Sequence, residues 1–89
     1  IRYMSPEIKD SNIYTFKTDI WSAGIIFAEL FENQRYNTEF TWLKTPKKIK
    51  EIILNHMIKT NPEERLNAGE LIDKLENIKI NSFLWPKFN

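Results

Sequence analysis

The segment from Ile20 to Phe31 is apolar on nearly every face of a helix, and this pattern dictates how the rest of the chain must be arranged. A helix with such a pattern is stable in water only when other elements cover it on all sides. Ser22 and Glu29 interrupt the segment, which at 12 residues is too short and too polar to span a bilayer. We therefore expect a central buried helix, with a core formed by Ile20, Trp21, Ala23, Ile25, Ile26, Phe27, Ala28, Leu30 and Phe31.

The start of this helix is predicted from its capping residues. Thr18 is expected to be the N-cap, and Asp19 places an anion in the first turn, where the helix dipole favours it. Gly24 lies in mid-helix and costs about 1 kcal/mol relative to Ala there, so we expect it to permit close approach of another element. Residues 1–17 are predicted to be irregular, apart from a short helix that can begin at Glu7.

Two amphipathic helices are predicted further along the chain. Thr45 and Pro46 provide an N-cap and a first-turn proline for a helix that runs to about Lys59. Asn67, with Glu70 three residues later, resembles a capping box at the start of the second helix. Each helix has one apolar side, made by Ile49, Ile52, Ile53, Met57 and Ile58 in the first and by Ala68, Leu71, Ile72, Leu75 and Ile78 in the second.

The composition is that of a packed globular protein, because 42% of the residues are apolar and 13% are aromatic. A chain of 89 residues buries only about two-thirds of its unfolded surface, however. Two amphipathic helices are also too few to cover the central helix on all sides. The chain begins with Ile1 rather than Met, so we expect a piece of a larger domain with no boundary inside residues 1–89.

The charged residues argue against several function classes. The net charge is +1, from 13 Lys and Arg against 12 Asp and Glu, so we expect neither nucleic-acid nor membrane binding. The absence of Cys removes thiolate metal ligands and cysteine catalysis and is compatible with an intracellular protein. His56 has no second His with which to share a metal, so a surface or packing role is expected. The sequence also contains a cluster of lysines, for which exposure to solvent is favoured over docking of an acidic partner: Lys44, Lys47, Lys48 and Lys50.

Three short motifs in a fixed order resemble a known family. They are Arg-Tyr-Met-Ser-Pro-Glu at residues 2–7, Thr-Asp-Ile-Trp-Ser-Ala-Gly at 18–24 and Asn-Pro-Glu-Glu-Arg at 61–65. The first is similar to the Ala-Pro-Glu motif that closes the activation segment of protein kinases, with Ser5 in place of Ala. The other two resemble the Asp-x-Trp-Ser-x-Gly signature of the large buried helix and the later Arg of the same domain. The resemblance covers about residues 2–78 and implies the C-terminal part of the large lobe of a eukaryotic-type Ser/Thr kinase.

The fold implied by this resemblance is all-α, a partial kinase C-lobe with a central buried helix and two amphipathic helices. The central helix is similar to that of cyclin-dependent kinases, but Met4 resembles other Ser/Thr kinases, including those that phosphorylate a translation initiation factor. The subfamily therefore stays open. The interval from Glu32 to Thr45 is shorter than in the family, which normally has a further helix there. The aromatic residues within it follow no sustained period, so loop and short helix are both open.

Glu7 and Arg65 are the residues to which the resemblance assigns the clearest role. In kinases the matching pair anchors the activation segment to the lobe. A carboxylate and a guanidinium can form two parallel charged hydrogen bonds across nearly sixty residues of chain. From composition alone both residues would be surface charges.

The resemblance implies two further groups of site residues. Asp19 matches an Asp that reaches the backbone of the catalytic loop, and with Trp21 it is expected to support that loop. A purely local role of Asp19 at the helix dipole is the alternative. The stretch that contacts the substrate residue after the phosphorylated one corresponds to Ile1, Arg2 and Tyr3. No catalytic residue and no metal ligand is expected within the chain.

The implied function is that of a protein Ser/Thr kinase, which as an intact enzyme uses ATP and magnesium and acts on protein substrates in the cytoplasm or nucleus. Phosphoryl transfer needs a Gly-rich loop, a strand Lys, a catalytic-loop Asp and Asn, and a magnesium-binding Asp. None of these motifs occurs in the 89 residues, so the segment alone is expected to bind neither ATP nor magnesium. A non-catalytic interaction module, either pseudokinase-like or a truncated kinase lobe, is the alternative, and a regulatory protein is a possible partner. A DNA-binding helical module is disfavoured by the charge.

Overall fold

The computed structural model describes residues 4–11 and 13–81. They form four α-helices, α1 (Pro6–Ser11), α2 (Phe16–Glu32), α3 (Lys47–His56) and α4 (Ala68–Asn81), with a short 3₁₀ turn at Pro62–Glu64. This part of the chain contains no β-strand, so the predicted all-α class is confirmed. None of its helices combines the length and the apolar character that crossing a membrane requires.

The core forms where α2 packs against α3 and α3 packs against α4. Five buried side chains make its centre, one from α2, three from α3 and its C-cap, and one from α4: Ile20, Ile52, Ile53, Met57 and Leu71. Ile53 and Met57 are almost completely buried because both lie on the side of α3 that faces the other helices. The core therefore lies between three helices, and both predicted amphipathic helices contribute to it, although Ile72, which was predicted on the apolar side of α4, is 58% exposed.

The described residues leave part of the apolar surface of α2 uncovered. Ile25 and Ala28 are buried, whereas Leu30 is 73% exposed and Ile26 is 43% exposed. The pattern of α2 requires cover on every side, and in the described part of the chain its main contacts are with α3 and the 3₁₀ turn. An exposed apolar face on an otherwise packed helix is typical of a surface that meets another part of a protein.

The start of α2 differs from the sequence prediction, which placed the N-cap at Thr18. The N-cap is Thr15, whose hydroxyl accepts a hydrogen bond from the backbone N–H of Lys17 at 3.2 Å. Thr18 completes a capping box, because its hydroxyl accepts from the backbone N–H of Thr15 at 3.1 Å. The prediction was three residues late because the hydroxyl of Thr18 has the chemistry of a cap but lies one turn inside the helix.

The start of α3 also differs from the prediction, which made Thr45 its N-cap. Pro46 is the N-cap, with no side-chain capping bond, and the helix ends at His56 rather than near Lys59. The hydroxyl of Thr45 instead donates a hydrogen bond to Glu32 at 2.5 Å. This bond directs the side chain of Thr45 towards the end of α2, and α3 begins two residues later, at Lys47.

The predicted capping box of α4 is confirmed. The side chain of Asn67 accepts from the N–H of Glu70 at 2.8 Å, and the carboxylate of Glu70 accepts from the N–H of Asn67 at 3.0 Å. This reciprocal pair satisfies two N–H groups at the start of α4.

Gly24 permits the close approach that was predicted for it. A methyl group at this position would lie 2.9 Å from Cγ1 of Ile58 and 2.9 Å from Cβ of Met57. Gly69, near the start of α4, would place its methyl group no closer than 3.5 Å to a side chain. The chain after α3 therefore lies directly against the backbone of α2 at Gly24.

We expect Gly24→Ala to destabilise the chain, although Ala is the better helix former. Overpacking costs about 1–3 kcal/mol and helix propensity returns about 1 kcal/mol, so the net loss reaches about 2 kcal/mol. Gly69→Ala is the matched control and should be neutral or stabilising by up to about 1 kcal/mol. Urea unfolding of the two variants measures the difference, and equal stabilities would contradict the packing assigned to Gly24.

Candidate functional site

The structure brings Glu7 of α1 and Arg65, just after the 3₁₀ turn, into a two-bonded ion pair. Nη1 of Arg65 lies 2.8 Å from Oε2 of Glu7, and Nη2 lies 2.9 Å from Oε1. The two residues are 58 positions apart in sequence. Two parallel charged hydrogen bonds fix both the distance and the orientation of the groups that they join. The end of the first motif is therefore held against the last one.

Each N–H group of the Arg65 side chain has a hydrogen-bond acceptor inside the protein, and the side chain is 0% exposed. Besides its two bonds to Glu7, Nη1 donates to the carbonyl of Lys17 at 2.8 Å and Nε to that of Lys59 at 2.8 Å. Nη2 also donates to the carbonyl of Thr60 at 3.4 Å. A guanidinium has five N–H groups, and these contacts provide one acceptor for each. Arg65 thus joins α1, the start of α2 and the chain after α3.

Two residues of α2 complete the network around this pair. Lys17 donates from Nζ to the carbonyl of Arg65, while its own carbonyl accepts from the Arg65 side chain, so the two residues bind each other reciprocally. The hydroxyl of Thr18 donates to Oε2 of Glu7 at 3.1 Å. Thr18 therefore links the capping box of α2 to the ion pair.

Trp21 lies beside the ion pair, and Asp19 lies at the surface. The guanidinium carbon of Arg65 stands 5.1 Å from the ring centroid of Trp21, within the range of a cation–π contact. The indole N–H of Trp21 is buried and has no acceptor among residues 4–11 and 13–81. Asp19 is exposed in the first turn of α2, and its hydrogen bond and negative charge raise the pKa of Tyr14.

The ion pair changes the acidity of Glu7. The hydrogen bond from Arg65 is the largest cause and lowers the pKa of Glu7 from 4.5 to about 2, although partial burial opposes this shift. A carboxyl group whose pKa is lower in the folded state contributes stability above its unfolded pKa. That contribution is lost as the pH falls from about 4.5 towards 2.

We expect the pH dependence of unfolding to report this shift. Below about pH 4.5 the wild-type chain should lose stability on acidification, and Glu7→Gln should show a shallower loss, with up to about one proton fewer taken up on unfolding. Glu76→Gln, at an exposed position on α4, is the matched control and should follow the wild type. Urea unfolding between pH 2 and pH 6 measures the three curves. Parallel curves for Glu7→Gln and the wild type would contradict the assignment.

A second charged site, which sequence reasoning missed, is centred on Glu32 at the end of α2. The residue is only 1% exposed, and its carboxylate accepts from the backbone N–H groups of Leu43, Lys44 and Thr45 at 2.7–3.0 Å. Burial alone would raise the pKa of Glu32. The hydroxyl of Thr45 and the three N–H groups together outweigh burial and lower it to about 2.

One sequence signal could have revealed this site. Glu32 is an acidic residue in the last turn of a helix, where the helix dipole disfavours negative charge. Such a residue is stable there only when other donors compensate for the dipole, and a nearby loop is the natural source of backbone N–H groups.

Residues 33–46 form an ordered connection without a helix, which settles the alternative left open by the sequence. Asn33 adopts a left-handed conformation with φ of 57° and ends α2, its N–H donating to the carbonyl of Glu29 at 2.8 Å. The carboxylate of Glu29 accepts from the N–H of Tyr36 at 2.7 Å. The rings of Tyr36, Phe40 and Trp42 then pack in sequence, with centroid distances of 4.8 and 5.0 Å. The short connection is therefore held at both ends by acidic residues of α2.

The sequence also drew attention to His56 and to the residues that precede Met4. Ile1, Arg2 and Tyr3 lie outside the described residues. His56, at the end of α3, is half-buried, and burial together with Lys74 and Lys59 lowers its pKa. Within residues 4–11 and 13–81, no group of three His, Asp or Glu side chains is arranged to hold a metal ion.

Comparison with known proteins agrees with these motifs. Residues 1–63 match the family model described as protein tyrosine and serine/threonine kinase. A probable serine/threonine-protein kinase of Encephalitozoon cuniculi is 26% identical over 70 residues, which is 79% of this chain. The matched region is 13% of that relative, so the chain spans a small part of the relative's length.

Proposed function

This chain belongs to the protein tyrosine and serine/threonine kinase family, and we propose that it is the C-terminal part of a kinase that transfers the γ-phosphate of ATP to serine or threonine hydroxyls. The Glu7–Arg65 pair carries this proposal. Its buried guanidinium joins the end of the first motif to the helical body. Such an attachment would keep the chain before Glu7 in one conformation, so that the catalytic part of the domain can act.

The role proposed for the pair is to anchor the activation segment that leads into Glu7. Three elements meet at Arg65, so the position of Glu7 depends on the packed body of the chain and not on α1 alone. Ile1, Arg2 and Tyr3 precede this anchor and are proposed to contact the protein substrate. The whole of residues 1–89 is proposed to be one continuous part of the kinase domain.

Asp19 and Trp21 are proposed to support the catalytic loop. Asp19 is exposed at the start of α2, where its carboxylate can accept hydrogen bonds from a neighbouring part of the domain. The buried indole N–H of Trp21 has no acceptor among the described residues, and a carbonyl from that neighbouring part would satisfy it. The uncovered apolar residues of α2 also favour a neighbour that packs against this helix.

ATP and magnesium are proposed to bind the intact kinase and not this segment. The motifs with which this family holds ATP and magnesium, among them a Gly-rich loop, a strand Lys and a magnesium-binding Asp, do not occur in the 89 residues. The chemistry of phosphoryl transfer is therefore assigned to residues outside this chain. A kinase that consumes ATP would act inside the cell, in the cytoplasm or the nucleus. Its partners would be protein substrates and a regulatory protein.

Transfer of γ-phosphate from ATP to a protein substrate by the intact protein tests this function. We expect transfer by the wild type and a lower kcat in Asp19→Asn, by about 10-fold or more, with unfolding within about 0.5 kcal/mol of the wild type. Asp73→Asn makes the same change at an exposed position of α4 and should leave kcat unchanged. Normal turnover in Asp19→Asn would contradict the supporting role. Absence of transfer by the wild type would favour a non-catalytic interaction module.

A further inference from the structure

An open groove of about 320 Å³ lies between α3 and α4, away from the Glu7–Arg65 pair. Ile52 and Ile78 form its apolar part, one residue from each helix. Ile52 is 7% exposed and belongs to the core, so this part of the groove rests on packed structure. The groove therefore has a fixed base between two helices that pack against each other.

The charges along this groove are mainly positive. Lys48 of α3 and Lys74 of α4 are exposed on its two sides, and His56 lines it at the end of α3. Glu51 is the acidic residue among the lining side chains. Other acidic residues of α4, Glu70 and Asp73, line an adjoining hollow that shares Lys74 and Asn77 with the groove. The lining of the groove itself thus presents two lysines against one carboxylate, with His56 between them in charge because its lowered pKa favours the neutral form.

Two further lysines lie close in sequence to Lys48 of the groove. Lys44 and Lys47 are exposed on either side of the N-cap Pro46. The sequence alone favoured a solvated face for these lysines. The structure adds a groove with an apolar base beside Lys48.

We propose that this groove docks an acidic segment of a partner protein, with its carboxylates next to Lys48, Lys74 and His56 and an apolar side chain against Ile52 and Ile78. The complementary charge selects the occupant, since a basic or neutral segment would leave both lysines without a counter-charge. Asn55 and Asn77 also line the groove, and their amides can bind the backbone of a docked segment. The proposal does not depend on phosphoryl transfer, because none of these residues belongs to the ion-pair network.

His56 provides a direct readout of docking because it is the single histidine of the chain. Burial and the charges of Lys74 and Lys59 lower its pKa. A carboxylate bound beside the imidazole would favour its charged form and raise that pKa. The NMR signals of one imidazole ring thus report occupancy of the groove without assignment of the rest of the chain.

The test uses the full chain and a fluorescent eight-residue peptide of six glutamates around two leucines. We expect the peptide to bind saturably and to shift the His56 ring signals. The double variant Lys48→Glu with Lys74→Glu should bind the peptide with an affinity about 10-fold lower. Lys9→Glu with Arg35→Glu changes the net charge equally at exposed sites outside the groove and should keep most of the affinity.

Two outcomes would overturn the proposal. If both double variants lost peptide affinity equally, the peptide would be attracted to the net charge of the chain and not to the groove. Binding that leaves the His56 signals unchanged would place the peptide elsewhere. A peptide in which lysines replace the glutamates is the second control, and we expect it not to bind, because it would place like charges next to Lys48 and Lys74.

Discussion

Replacement of Arg65 by Ala should lower the free energy of unfolding by about 3–5 kcal/mol, because it removes one member of a buried ion pair and the two charged hydrogen bonds that Glu7 accepts from it. The change also removes the donors that hold the carbonyls of Lys17 and Lys59. A loss of this size is a large fraction of the stability of a small domain. Urea unfolding at neutral pH measures it, and the same substitution should release α1 from the helical body, seen as faster amide exchange in residues 7–9.

Arg35→Ala is the matched control for this prediction. Arg35 is exposed in the connection after α2, so the same substitution there should change stability by no more than about 0.5 kcal/mol. Arg65→Lys should recover only a small part of the loss, because an ammonium group cannot make two parallel bonds to Glu7 and also reach three carbonyls. Stabilities of Arg65→Ala and Arg35→Ala that agree within error would contradict the role assigned to the buried pair.

Replacement of Glu32 by Ala should free the connection between α2 and α3. Three backbone N–H groups and the hydroxyl of Thr45 would lose their acceptor together. A hydrogen bond to a charged group is worth more than a neutral one, so amide exchange at residues 43–45 should accelerate by at least about 10-fold. Hydrogen exchange followed by NMR measures the rates at these three amides.

Glu39→Ala provides the control within the same connection. Glu39 is exposed, so its removal should leave the exchange of residues 43–45 unchanged. Glu32→Gln should give an intermediate rate, because the amide keeps one acceptor oxygen but loses the charge. If Glu32→Ala exchanged at the wild-type rate, the carboxylate would not be what holds this connection.

Long-range patterns in the sequence predicted the fold better than local capping signals did. The all-round apolar pattern of α2 predicted both its burial against α3 and its lack of complete cover, because that pattern reflects packing over the whole helix. The N-caps predicted at Thr18 and Thr45 were wrong, since Thr18 lies one turn inside α2 in a capping box with Thr15, and the hydroxyl of Thr45 is directed to Glu32. The capping box at Asn67 matched the prediction, because its two partners lie within one turn of each other in the sequence.

Only part of the candidate site could be predicted from the sequence. Glu7 and Arg65 belong to motifs with a known order, so their pairing followed from the resemblance. Glu32 belongs to none of the three motifs, and apart from the Thr45 hydroxyl its partners are backbone N–H groups, so its acidic character in the last turn of α2 was the available sequence signal. The groove between α3 and α4 was not predictable, because it depends on how two helices are placed in space.

A double-mutant cycle of Glu7→Ala and Arg65→Ala tests most directly whether this pair joins the first motif to the helical body. Urea unfolding of the wild type, both single variants and the double variant measures the coupling energy. We expect a coupling of at least about 1.5 kcal/mol, with the double variant little less stable than Arg65→Ala alone. Additive losses, with a coupling near zero, would contradict the anchor on which the proposed function rests.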